Sequence, residues 1–330
     1  MKQAFATPIL ARLARRAGVK VNIEPQFGYA GQVVLPDGRK KYFRGTNFDL
    51  NGLGASEIAK DKDYANFFLA SMGYPVIKGR AFFSPDWARI IRNRRTIGAA
   101  HAYAKQLGFP VIVKPNSLSQ GSGVAKVHNR AEFFQAVRAI CKKDRVFLVQ
   151  RVVSGRDYRV VVLDGKVMSA YERLPLQVVG DGKATIAKLL SRKQKQFRRE
   201  GRDTVIKQMD FRISNHLRRQ GLSRRSVPAR GEVVTLLDNR NLSSGGDAVD
   251  VTGQIHPSFR RLCVRMTRDM GLRYSGVDLM VEGKLSEPIN RFFVIEVNAA
   301  PGIDNYAHGG KKQRRIVDQM YLKVLRALAK

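Results

Sequence analysis

Apolar positions recur along this chain at two spacings, near every second residue and near every third or fourth, and the switches between them mark out its elements. The opening "MKQAFATPILARLARRAG" puts apolar residues on one helical face and arginines on the other, which predicts an amphipathic helix. "GQVVLPDGRKKYF" alternates, turns at Pro-Asp-Gly and alternates again, so two short strands are expected. After the link "RGTNFDLNGLGAS", a helix capped by Ser56 is expected to run to Met72, where Gly73 stops it. "YPVIKGRAFF" reads as a strand, Thr96 to Leu107 as a helix ended by Gly108, and "FPVIVKP" as a buried strand. The loop "NSLSQGSGV" then leads to a short strand, a helix from Arg130 to Cys141 and the strand "RVFLVQRVV".

The second half opens with "GRDYRVVVLDGKVMSAYERLP", a hairpin with Asp164-Gly165 at its turn. From about Lys183 to Arg230 the pattern turns helical and basic. "YSGVDLMVEG" and "FFVIEVNAAPG" are two further strands, and "RRIVDQMYLKVLRALAK" is a final helix. Strands mixed with helices in this order predict an α/β or α+β fold.

The last strand carries the first chemical signal. Phe292, Phe293, Val294, Ile295 and Val297 call for burial, yet Glu296 and Asn298 interrupt them two residues apart, on one face of the strand. A buried carboxylate needs a partner. Asp278 sits between Val277 and Leu279 in the preceding strand, and antiparallel pairing would bring all three together. Two carboxylates and an amide oxygen are hard donors that suit Mg²⁺ with bound phosphates; polar groups satisfied by backbone are the alternative. In "NSLSQGSGV", Gly121 and Gly123 allow backbone N–H groups to approach phosphate oxygens, without the Gly-Lys-Ser/Thr of a Walker loop. Lys114 ends the strand just before that loop, within reach of a nucleotide phosphate or, on the plainer reading, simply at a strand end.

Composition adjusts this picture modestly. The 330 residues hold 44% apolar side chains, enough for a sizeable core. Lys and Arg number 60 against 27 Asp and Glu, a formal net charge of +33. That excess suits anionic substrates or a polyanionic partner; nucleic acid is open on this ground but not favoured, because charge alone sets non-specific affinity. Residues 191–230 hold thirteen bases and three acids, read either as a solvated helical insertion or as a surface receiving an anionic substrate. Cys141 and Cys263 lack metal spacing and suit a reducing cytoplasm. No apolar run is long enough to span a membrane. The basic start also has the composition of an organelle-targeting helix, but the first helix of the domain is the preferred reading.

The set "VIVKP", the Gly/Ser loop, "FLVQRVVSGRDYRV", "SGVDLM" and "VIEVNAAPG" resembles the ATP-grasp ligases in order and spacing, over about residues 57 to 310. "ERLPLQVVGDGKATIAKLL", "QGLSRRSVPARGEVVTL" and "NRNLSSGGDAVDVTGQIHP" are most similar to the ATP-grasp region of cyanophycin synthetase; glutathione synthetase-like and ribosomal-protein glutamate ligases share the shorter elements. The resemblance implies an ATP-grasp fold, two α+β subdomains clasping ATP. Residues 1–56 would form a short N-terminal segment, 57–150 the lid subdomain and 151–330 the C-terminal subdomain with the basic insertion at about 184–230. It implies that Lys62 and Lys114 contact ATP phosphates under a lid containing Ser119, Gly121, Ser122 and Gly123. Gln150, Arg151 and Val153 would read the adenine edge, and Asp157 would bind the ribose. Asp278, Glu296 and Asn298 would hold two Mg²⁺ ions, with Mn²⁺ as the substitute. Arg159, Arg173 and Asn241, with Lys114, would serve the acyl-phosphate chemistry.

The activity so implied is ATP-dependent joining of a carboxylate to an amine, with ADP and phosphate released. The expected substrates are amino acids or short peptides, one of them acidic, and the expected assembly is a homo-oligomer. Only about 56 residues precede the grasp region and the chain stops soon after "NAAPG", so a stand-alone ligase without the Mur-ligase-like domain is expected. Two other readings remain at this stage: a nucleotide-dependent binding or regulatory module, and a ligase acting on a protein or ribosomal target.

Overall fold

The computed structural model describes residues 5–119 and 121–329. Residues 1–4 of the expected first helix, Gln120 of the Gly/Ser loop and Lys330 of the expected last helix lie outside them. The amphipathic start forms α1 (Ala6–Ala17), with Leu10 and Leu13 buried and Gly18 ending it in the left-handed region. Strands β1 (Lys20–Ile23), β2 (Ala30–Val34), β3 (Lys40–Arg44) and β4 (Asn47–Phe48) follow as an antiparallel meander, with the Pro-Asp-Gly turn between β2 and β3.

The single helix expected from Ser56 to Met72 is two, α2 (Leu53–Lys60) and α3 (Lys62–Ser71), and Ser56 lies inside the first. Asp61 causes the break. Its backbone is extended and its carboxylate accepts from the N–H groups of Asp63 and Tyr64, so a cap wins over continuation of the helix. Next come β5 (Gly79–Phe83), α4 (Pro85–Ile90), α5 (Ile97–Leu107, capped by Thr96), β6 (Val111–Pro115), β7 (Ala125–Val127), α6 (Arg130–Cys141) and β8 (Val146–Arg151). The four strands form an antiparallel sheet in the order β5-β8-β6-β7. Its core holds Phe82, Val111, Phe133 and Phe147 under α5 and α6.

The hairpin is β9 (Arg156–Leu163) and β10 (Lys166–Leu174), followed by β11 (Gln177–Val179), α7 (Ile186–Arg199), α8 (Phe211–Arg219), β12 (Val233–Thr235), a 3-10 turn at Leu242–Ser244 and β13 (Asp247–Asp250). Then come α9 (Pro257–Asp269), β14 (Tyr274–Val281), β15 (Phe292–Asn298), α10 (Asp304–Ala307) and α11 (Lys311–Leu328). A five-stranded antiparallel sheet runs β13-β10-β9-β14-β15. One face packs Tyr158, Val160, Val277, Leu279 and Val297 against α9. The other face, at one end, meets α1, the meander and α11 through Val161, Leu163 and Tyr274. Residues 57–74 bury Ala59, Ala65 and Leu69 against this same five-stranded sheet, whereas the four-stranded sheet has a core of its own. The basic insertion is folded around Leu189, Phe197, Ile213 and Leu217. Both thiols are free; burial pushes Cys141 up to about 11 and raises Cys263 further. Among the described residues no helix is long and apolar enough to cross a membrane.

Candidate active site

The strand with the misplaced polar residues pairs as its pattern requires. In the antiparallel register Asp278 lies opposite Glu296, and Gly276 opposite Asn298; on its other side Asp278 lies opposite Arg159. Asp157 is opposite Arg173 in turn. Directly opposed residues share a face, so these side chains gather on the sheet face away from α9. They form an unbroken ionic row. Asp278, fully buried, receives both nitrogens of the Arg159 fork at 2.5 and 2.6 Å and Arg173 Nη1 at 3.0 Å. Arg173 also donates Nε and Nη2 to Asp157 Oδ1, at 2.9 and 2.6 Å. Glu296 lies 3.6 Å from Arg159 and 3.9 Å from Lys62, and accepts from the Asn298 amide at 3.1 Å.

Burial dominates the electrostatics and the partners decide the outcome. Desolvation opposes the charge of Glu296, but Lys62, Arg159 and Lys114 outweigh it and hold the carboxyl at about 2. Desolvation also opposes the Arg159 and Arg173 charges, and their carboxylates raise both above the ordinary range. Asp278 is pushed up by burial, with its two guanidiniums countering. Lys114 is next to last in β6 and is 5% exposed; burial lowers it to about 8, with Glu296 and Asp278 opposing that shift and Lys62 adding to it. Four cations thus face three carboxylates, leaving room for added negative charge.

The glycine loop is tied to this face. Lys62 donates to the carbonyls of Asn116 and Leu118 at 3.0 and 2.8 Å, and Asp61 accepts from the Asn116 amide at 2.6 Å. Gly121 and Gly123 both adopt positive φ. A Cβ on Gly121 would stand 2.8 Å from the Cβ of Asn241, so glycine is required there by conformation and by space. Ser119 and Ser122 belong to one turn, the Ser122 N–H donating to the Ser119 carbonyl. Gln150 is buried near the end of β8, where its amide donates to the Ile77 carbonyl; Arg151 is the last residue of that strand and Val153 lies on the connection to β9.

Lys62, Lys114, Asp157, Arg159, Arg173, Asp278, Glu296 and Asn298 are therefore brought together. Asn241 is elsewhere: its side chain caps the 3-10 turn by accepting from the Ser243 N–H, next to the tip of the glycine loop. Asn116, Asp61, Arg212 and Asn239 hold the loop and were not read from the sequence. Of these only Asp61 carried a signal, as an Asp before a new helical turn. For a cation, the donors available are all oxygen, which suits Mg²⁺. Asp278 is already engaged by two guanidiniums, whereas Glu296 keeps a 22% exposed side chain. Among the described residues no three His, Cys, Asp or Glu side chains are set as ligands of one metal ion, and the Asn298 amide stands beside Glu296 as a further oxygen donor.

The fold is that of the ATP-grasp ligases, enzymes that use ATP with Mg²⁺. The chain belongs to the family described as "D-ala D-ala ligase C-terminus", whose model matches residues 68–236. It is 34% identical over 269 residues to cyanophycin synthetase of Trichormus variabilis, covering 79% of this chain and 28% of that protein. The glutathione biosynthesis bifunctional protein GshAB of Mannheimia succiniciproducens is 34% identical over 269 residues, covering 78% of this chain and 34% of that one. A crystal structure of a bifunctional glutathione synthetase from Pasteurella multocida superposes with a TM-score of 0.61 at 26% identity, over 98% of this chain and 43% of that chain. The chain thus spans about a third of the length of these curated relatives.

Proposed function

We propose that this chain activates a carboxylate with ATP, as an acyl phosphate, and joins it to an amine, releasing ADP and phosphate. The observation that carries this reading is the ionic row from Lys62 through Glu296, Arg159, Asp278 and Arg173 to Asp157, lying beside a glycine loop and a buried lysine. Lys62 and Lys114 would bind phosphate oxygens, and the loop of Ser119, Gly121, Ser122 and Gly123 would cover them. Gln150, Arg151 and Val153 would line the adenine and Asp157 the ribose. Glu296 and Asn298, backed by Asp278, would hold two Mg²⁺ ions, with Mn²⁺ able to replace them. Such ions supply charge neutralisation on the phosphoryl oxygens. Arg159 and Arg173 brace Asp278 and present positive charge to the acyl phosphate, with Asn241 at the loop tip. The covered site excludes water, which an acyl phosphate requires.

The names of the relatives support amino acids or short peptides as substrates, and the basic insertion supports an acidic one. The free, shielded thiols support a reducing cytoplasm. A screen of ADP release over pairs of amino acids and short peptides, with product masses, tests the reading. One pair should give ADP and an amide of the summed mass less water, and Glu296→Gln should lower kcat by roughly a hundredfold or more with the circular dichroism unchanged. Near-normal turnover of that variant at saturating Mg²⁺ would make the carboxylate structural.

A further inference from the structure

The basic insertion does more than project from the sheet: it grips the glycine loop. Arg212, in the first turn of α8, donates Nη1 to the carbonyls of Gly121 at 3.1 Å and Val124 at 2.8 Å. The rest of its guanidinium is fixed by Asp210, at 3.0 Å to Nε and 2.6 Å to Nη2, and the same carboxylate caps α8 through the Arg212 N–H. Asn239 donates to the Gly121 carbonyl as well, at 3.1 Å. Behind this contact α8 is bound to α6, through Arg219 to Glu132 and Asn215 to Gln135, each at 3.1 Å. The insertion therefore joins the loop to the helix beneath it by side chains whose partners are already paired.

We propose that Arg212 is a positioning residue that latches the glycine loop over the reacting phosphate. A loop with two positive-φ glycines has high conformational freedom when unheld. Hydrogen bonds from a charged donor to two of its carbonyls restrict that freedom, because each held carbonyl fixes a whole peptide plane. The guanidinium acts on the loop from outside and touches no reacting atom, so its effect is on closure. This inference rests on the ligase reading above. With the latch lost, water reaches the acyl phosphate: it adds to the acyl carbon, the bond to the phosphate oxygen breaks, and carboxylate and inorganic phosphate leave. ATP is then consumed without amide.

Two measurements test the latch in Arg212→Met and Arg212→Lys. The first compares ADP with amide formed in the same reaction. The wild type should form them in near-equal amounts; Arg212→Met should give a several-fold excess of ADP and a KM for ATP raised roughly tenfold, and Arg212→Lys should recover part of both, since one charged donor remains. The second is hydrogen exchange at residues 116–119 and 121–124 with a non-hydrolysable ATP analogue bound. It should quicken in Arg212→Met while the α9 amides hold steady. Unchanged exchange and an unchanged ADP-to-amide ratio would overturn the latch, and so would exchange that quickens equally in α9, which marks a folding role. If the wild type forms ADP with no acid and amine pair, the ligase reading fails, and the exchange measurement still judges the latch by itself.

Discussion

On the proposed assignment of Lys114 to an ATP phosphate, raising the pH past 8 should loosen the hold of this protein on ATP, because that ammonium gives up its proton there. Lys114 is 5% exposed, and burial lowers its ammonium to about 8 against the pull of Glu296 and Asp278. A bound phosphate favours the ammonium, so above that pH binding must take up a proton, and the apparent Kd grows by about tenfold per pH unit. Between about pH 7 and pH 9 the affinity for an ATP analogue with Mg²⁺ should fall roughly tenfold, or about 1.4 kcal/mol. Glu296, held at about 2, stays ionised throughout, and Cys141, at about 11, stays protonated. Titration calorimetry without the amine substrate, in two buffers of different ionisation enthalpy, reads both the affinity and the proton taken up. Arg keeps its charge across this range, so Lys114→Arg should flatten the profile, and Lys114→Met should bind weakly at every pH. The free protein gives the opposite sign. Between 8 and the ordinary lysine value of 10.5 the unfolded chain holds the proton and the folded one does not, so the unfolding free energy should rise across that window by roughly 3 kcal/mol. A wild-type Kd that is level from neutral to alkaline pH, or a Lys114→Met variant with the wild-type slope, would refute the assignment of this lysine to phosphate.

Two other perturbations separate structure from chemistry. Asp61→Ala removes the cap of α3 and the tie to Asn116, and should cost about 1–2 kcal/mol, read as a lower midpoint in chemical denaturation; an unchanged midpoint would make both contacts redundant. Reversing the charges of Arg198, Arg199 and Arg218, which are exposed, should raise KM for an acidic substrate much more than KM for ATP and remove most of its salt dependence; equal responses would leave only a general positive potential. Arg219 is excluded from that set because it is paired with Glu132 and Asp238.

What could be read from the sequence, and what could not, divides by the range of the interactions. Period and turn chemistry are local, so the hairpin at Asp164-Gly165, α5 behind Thr96 and α6 over its full length were legible. The face shared by Glu296 and Asn298 was legible for the same reason, since alternation along one strand needs no neighbour. Their meeting with Asp278 was conditional on register: a one-residue slip would have turned Asp278 toward α9 and into an apolar core. The guanidinium partners of Asp278 come from across two strand pairs, and nothing within "SGVDLM" announces them. The break at Asp61 was missed because an amphipathic run looked continuous, while the cap competed with it through bonds only two and three residues long. The hold of Arg212 on Gly121 lies furthest from view, spanning 91 residues between a loop and an insertion that meet only in the folded chain. A base within a run of bases reads as a solvated charge. What gives this one a role is Asp210 beside it, which fixes the guanidinium so that its remaining donor can reach the loop.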